Sequence, residues 1–205
     1  MKVLIATKNR GKIDKYSSIL KMLDIKYCTL FDFDIDINIE ENGNTTTENA
    51  IIKAKTYYNA LKMPVLVDDS GLLIDKLPEN KQPGVYVRRH NGKELSDEEI
   101  IDLYSTEIQN VGGESTGAFI ITIAIVDVNG DIHTKSTKHN RLFVSKPDIN
   151  RIPGYPLSSL IYDKETKMYM TEKQAKGINV YEQNSFGEEV EFIKSVLGEK
   201  MKKEI

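Results

Sequence analysis

The chain is poor in several things, and each shortage removes a class of explanation. It has one cysteine in 205 residues, Cys28, so no intrachain disulfide framework is available and a reducing cytosol is the expected setting. Basic residues do not outnumber acidic ones: the formal net charge is -3, which argues against a nucleic-acid partner held by a broad basic face. Long apolar runs are missing. Val3–Ala6 is too short for a signal peptide and nothing approaches a membrane span, so a cytoplasmic protein with no membrane partner is expected. Histidine is scarce, and His90 has no cysteine or histidine at metal-ligand spacing. There is no internal repeat and no low-complexity linker, so residues 1–205 are expected to form a single domain. What is there is ordinary: 40% apolar and 29% charged residues, enough for a sizeable core.

The apolar pattern gives a coarse path. Val3–Ala6 reads as a buried strand, Thr7–Lys12 as the following loop, and a helix starts near Lys12 with Ile13, Tyr16, Leu20 and Leu23 on one face. Residues 31–39 (FDFDIDINI) alternate strictly and predict a strand with one exposed face. A polar turn at 41–44 leads to a helix carrying Ile51, Ala54, Tyr58 and Leu61, which ends before Pro64. Val65-Leu66-Val67 is a short buried strand with Asp68 and Asp69 at its carboxyl end. Pro78 to Gly92 reads as a loop, and Ser96 with Glu99 caps a helix to Ile108. Phe119–Val128 and Ile132–Thr137 form a hairpin over a type I′ turn at Asn129-Gly130, with Leu142–Val144 as another strand. Pro147 to Tyr162 looks loop-like. Ser185 starts a final helix with Glu188 at the capping position and a core face of Val190, Ile193 and Leu197. The sum is an α/β half followed by a mainly antiparallel half around one elongated mixed β-sheet flanked by helices.

Four segments carry chemistry. Asp68-Asp69 on a buried strand needs a counter-charge, and ligands bind at carboxyl ends of strands in open α/β sheets. A carboxylate pair there suits Mg²⁺, or one acid can hold metal while the other orients water. The alternative is an Asx turn over Asp69-Ser70-Gly71 with Asp68 in solvent. Thr7-Lys8-Asn9-Arg10-Gly11-Lys12 offers a helix start and three cations to an anion, or is a plain βα turn; it is no Walker loop. Glu48 completes a capping box with Thr45, which explains it without any metal. Lys53, on the same helix, reaches a phosphate or is solvated. Pro83 to His90 combines a Pro-Gly turn with Arg88 and Arg89, suited to a polyphosphate or simply solvated.

In this order and spacing the segments resemble the Ham1/inosine triphosphate pyrophosphatase family. The matching residues are Thr7, Asn9, Gly11 and Lys12; Glu48-Asn49-Ala50 with Lys53-Ala54; Val67 to Leu72; Pro83 to Tyr86 with Arg89; and Ala118-Phe119. The resemblance implies a two-lobed α/β fold with a cleft and cleavage of a nucleoside triphosphate to monophosphate and pyrophosphate with Mg²⁺. It also implies a homodimer. On this chain, Thr7, Lys8, Asn9 and Lys12 would hold phosphate, Glu48 and Asp69 would bind the metal, and Asp68 or Asp69 would activate water. Lys12 would also serve catalysis; Lys53, Ser70, Gly71 and Arg89 would sit at the phosphates and Tyr155 at the base. Two segments depart from the family. Its Gly-Phe-Gly-Tyr-Asp-Pro is Ile152-Pro153-Gly154-Tyr155-Pro156-Leu157 here, and its Ser-His-Arg-Gly is Asn184-Ser185-Phe186-Gly187. Base choice is therefore expected to be altered, since buried polar readout is what discriminates. Phe186 covers the base or is a core aromatic. A nucleotide-binding protein without turnover is the competing expectation.

Overall fold

A computed structural model describes residues 2–35, 37–90, 92–178 and 185–198, without the side chains of Ser185 and Phe186. The expectations placed on Asn184 and on those two side chains lie outside the described residues. The elements run β1 (Val3–Ile5), α1 (Arg10–Met22), β2 (Tyr27–Thr29), α2 (Thr46–Leu61), β3 (Val65–Ile74), β4 (Arg89–His90), β5 (Lys93–Glu94), α3 (Asp97–Asn110), β6 (Glu114–Val126), β7 (Ile132–Val144), β8 (Tyr162–Asp163), β9 (Met168–Tyr169), α4 (Met170–Ala175) and α5 (Ser185–Ile193). The main sheet has the order β2-β1-β3-β6-β7, with β1 parallel to both β2 and β3. The tight β6–β7 connection makes that pair antiparallel, so the sheet is mixed, as the sequence pattern implied.

The chain divides into two compact units. The first comprises residues 1–70, 121–137 and 184–205. Its strands are apolar on both faces, as a parallel sheet covered by helices requires. Val3, Ile5 and Leu66 pack on one face with Tyr16 and Leu20 of α1 and Ile193 of α5. Leu4, Val65 and Val67 pack on the other with Ala50, Ala54 and Tyr57 of α2. The second unit comprises residues 71–120 and 138–183 and has its own core. There Leu72, Ile74 and Phe143 meet Ile100, Ile101, Tyr104 and Ile108 of α3.

Several expectations change. Residues 33–39 join no ladder among the described residues. The chain leaves the sheet at Leu30–Asp32, where the Asp32 carboxylate accepts from Thr29 N at 2.7 Å and Thr29 Oγ1 at 3.0 Å and closes a turn. The alternation still has a purpose, because Phe33, Ile35, Ile37 and Ile39 pack on the α2-side core. Leu142–Val144 is the end of β7 and not a separate strand. The hairpin turn is not type I′, which needs positive φ at both central residues. Only Gly130 is left-handed, at φ 85°, and the Asp127 carboxylate accepts from Asn129 N and Asp131 N in place of a second left-handed residue.

Candidate active site

The first unit brings together four of the expected residues, but not as a pair of acids clasping one ion. β3 does not stop at Val67; it continues through both aspartates to Ile74, which removes the Asx turn. The strand that stops is its neighbour. β1 pairs only Leu4 with Val65 and Ile5 with Leu66, then ends, so Asp68 and Asp69 lie beyond the carboxyl end of β1. Successive strand residues point to opposite faces. Asp68 shares its face with Leu66 and α1, and Asp69 shares its face with Val67 and α2.

Each carboxylate meets a lysine from the helix on its own side. Lys12 Nζ lies 3.0 Å from Asp68 Oδ1. Lys53 Nζ lies 2.6 Å from Asp69 Oδ1 and 3.2 Å from Glu41 Oε1. Both aspartates are buried. Burial alone would push the Asp68 carboxyl up, but the ammonium groups of Lys12, Lys15 and Lys53 outweigh it and hold it below the usual carboxylate range. For Asp69 burial wins over Lys53 and Lys12, with Glu41 adding to the rise, so its carboxyl sits above that range. Burial would lower Lys53, yet Asp69, Glu41 and Asp68 raise it, and it carries its charge at neutral pH. Neighbours in sequence are thus driven apart in acidity.

The loop that supplies Lys12 is locally built. Thr7 Oγ1 accepts from Asn9 N at 3.1 Å, and Asn9 Oδ1 accepts from Lys12 N at 3.2 Å, capping α1. The helix therefore starts at Arg10, two residues earlier than the apolar spacing suggests. Lys8 is exposed. On α2, Thr45 Oγ1 accepts from Glu48 N, but the Glu48 carboxylate reaches Asn44 N at 2.6 Å and not the Thr45 amide. Glu48 is exposed, on the first turn of the helix that carries Lys53. Ser70 is half-buried on β3. Gly71, Arg89 and Tyr155 belong to the second unit, where Gly71 is buried on β3, Arg89 exposed on β4 and Tyr155 half-buried before a 3-10 turn at Pro156–Leu160.

Three participants escaped the sequence reading. Glu41 sits in a loop with no periodic signal. Lys15 lies three residues after Lys12, the same-face spacing of a helix, and its Nζ is 2.6 Å from Glu189 Oε2. Glu189 is fully buried, while its neighbour Glu188 pairs with Lys135 at 2.8 Å. A buried acid one position from a solvated one is visible only once the face of α5 is known.

A metal has a limited purchase here. Asp69 Oδ2 is buried and has no hydrogen-bond partner among the described residues, which leaves an acceptor for a ligand to meet. Among the described residues no group of three or more acid, histidine or cysteine side chains could hold an ion. That fits Mg²⁺, which binds through one or two carboxylates and otherwise through water and phosphate oxygens. It does not fit an ion caged by protein alone.

The fold is thus that of a mixed α/β protein with charged pairs beyond the end of its first strand. The sequence model of the Ham1 family matches residues 3–177, and the chain belongs to that family. A dITP/XTP pyrophosphatase of Geobacter sulfurreducens is 33% identical over 176 residues, covering 85% of this chain and 87% of that protein. Another, from Bacillus anthracis, is 37% identical over 130 residues, 63% of either chain. A Ham1 protein from Coxiella burnetii superposes with a TM-score of 0.74 at 25% identity, covering 96% of this chain and 98% of that one.

Proposed function

We propose that this chain is a nucleoside triphosphate pyrophosphatase. It would hydrolyse purine nucleoside or deoxynucleoside triphosphates, including those outside the standard set, to monophosphate and pyrophosphate with Mg²⁺. The observation that carries the reading is the pair of lysine–aspartate contacts beyond β1, together with the unpartnered Asp69 Oδ2. Phosphoryl chemistry asks for positioned positive charge and an oriented water rather than a covalent catalyst. Lys12 and the Thr7–Asn9 loop would hold phosphate oxygens, with Lys8, Lys53, Ser70, Gly71 and Arg89 adding contacts. Asp69, with Glu48, would take the metal, and Asp68 or Asp69 would orient the attacking water. Bound Mg²⁺ would neutralise phosphate charge. The pyrophosphatase relatives support this reaction, and residues 1–205 would work as one domain, cytoplasmic as the single cysteine and short apolar runs suggest, and homodimeric as the resemblance implies.

Base preference would differ from that of the relatives. The family match ends at residue 177, before Asn184-Ser185-Phe186-Gly187, and Pro156 stands where the family has aspartate. Tyr155 remains for the base. The test is release of pyrophosphate from ITP, XTP, dUTP and the common triphosphates with Mg²⁺. Folded protein that turns over none of them would refute the proposal, and Asp69→Asn is expected to abolish whatever turnover is found. The competing reading, a nucleotide binder without turnover, draws on the fact that both aspartates already have lysine partners. It predicts thermal stabilisation by nucleotide with no pyrophosphate released.

A further inference from the structure

We propose that Arg88 and Asp97 are positioning residues that fix the direction of Tyr155 and so set which base is accepted. This rests on the pyrophosphatase reading and on Tyr155 meeting the base. Arg88 Nη1 donates to Asp97 Oδ1 at 2.9 Å. The other ends of both groups grip a single residue of the loop before Tyr155. Arg88 Nη2 donates to the Gly154 carbonyl at 3.2 Å, and Gly154 N donates to Asp97 Oδ2 at 3.3 Å. Guanidinium, carboxylate and the two backbone groups of Gly154 close a ring, which a planar fork of donors can make and an ammonium cannot.

Gly154 has φ 82°, a left-handed conformation that glycine adopts without strain, and it closes a Pro153-Gly154 turn in which Tyr155 N donates to the Ile152 carbonyl at 2.9 Å. A second grip lies just upstream, where Arg151 donates to Glu98 through Nε at 2.8 Å and Nη2 at 3.3 Å. Asp97 and Glu98 are the first two residues of α3, so one helix start holds the loop twice. Downstream, Leu157 and Leu160 are buried against Ile100 and Ile101 of the same helix. Tyr155 is thereby held between a polar clamp and an apolar anchor.

The clamp contributes little to global stability, because Arg88 and Asp97 side chains are 37% and 39% exposed. Its effect is directional. The departure of residues 152–157 from the family pattern leaves orientation of this loop to contacts outside it, and Arg88 supplies them.

The experiment uses the full chain with Arg88→Ala, Tyr155→Ala and the double variant. Amide hydrogen exchange is read over residues 151–157, and kcat and KM are measured across the base panel. Arg88→Ala is expected to raise exchange in that loop and to narrow the kcat/KM ratio between best and worst base by about tenfold, since misplacing a binding group by about 1 Å costs up to roughly a hundredfold. The change should fall on KM, and the double variant should match Tyr155→Ala alone. Unchanged exchange overturns the clamp whether or not the protein turns over any nucleotide. Raised exchange with an unchanged base ratio, or an equal loss for every base, overturns the role in selectivity. If wild-type protein hydrolyses nothing, the pyrophosphatase reading and the selectivity claim fall together, while the exchange result still decides the clamp.

Discussion

Asp68 and Asp69 are bonded to each other through the backbone and face opposite ways. The sequence pairs them as one acidic feature, but strand geometry assigns each to a different helix, and each helix brings its own lysine. Lys12→Met would leave the Asp68 carboxylate buried without its nearest cation. Destabilisation of about 3 kcal/mol is expected from urea unfolding, at the low end for a broken buried pair because Lys15 and Lys53 also act on Asp68. Adding Asp68→Asn should recover much of it. The two acids should also respond oppositely to pH. Asp68 is held low in the folded state, so its contribution is present above the unfolded value of about 3.9 and disappears as pH falls through its folded value. Asp69 is held high, so the folded state takes up its proton first and gains stability on acidification. Unfolding free energies of wild type, Asp68→Asn and Asp69→Asn between pH 6 and pH 3 would show differences of opposite slope; parallel curves would contradict the assignment. Residue types were legible in the sequence, and Lys12, Lys53 and both aspartates were singled out there. Their pairing was not, because it depends on where β1 ends, and Glu41 and Glu189 carry no pattern that distinguishes them from solvated acids.

At the scale of elements, capped helices were the most legible part. Ser96 and Glu99 form the reciprocal box at the start of α3 that their spacing predicts, with Ser96 N donating to Glu99 Oε2 at 2.8 Å. Lys62 ends α2 in a left-handed cap at φ 52°, just before Pro64. Strands were read less well, since periodicity reports which side chains face a core but not whether a backbone partner exists; residues 33–39 have the first without the second. Packing between strands was silent altogether. A Cβ at Gly117 of β6 would lie 2.3 Å from Leu73 O and 3.1 Å from the Phe143 ring. Gly117→Ala is therefore expected to destabilise the protein by about 1–3 kcal/mol, as overpacking of a tight interior does, and a melting temperature equal to wild type would refute it.

For the molecule as a whole, no helix among the described residues is long and apolar enough to cross a membrane. The limited set of metal ligands has a consequence in solution. Mg²⁺ alone should barely shift the melting temperature, whereas Mg²⁺ with a non-hydrolysable triphosphate at about 100 times its Kd should stabilise by about 2.7 kcal/mol. Equal stabilisation by Mg²⁺ without nucleotide would mean that the chain holds the ion unaided. The segment that left the sheet matters in another way. Phe33, Ile35, Ile37 and Ile39 alternate with exposed Asp32, Asp34, Asn38 and Glu40. Before the chain has folded, that stretch is long, rich in β-forming residues and free of proline, the kind of segment that stacks with copies of itself. Its acids act as gatekeepers, since in-register pairing would bring like charges together. Removing those charges, as in Asp32→Asn with Asp34→Asn, should therefore leave the unfolded chain with an adhesive ribbon that the wild-type acids keep apart, read as lower soluble yield on refolding from urea.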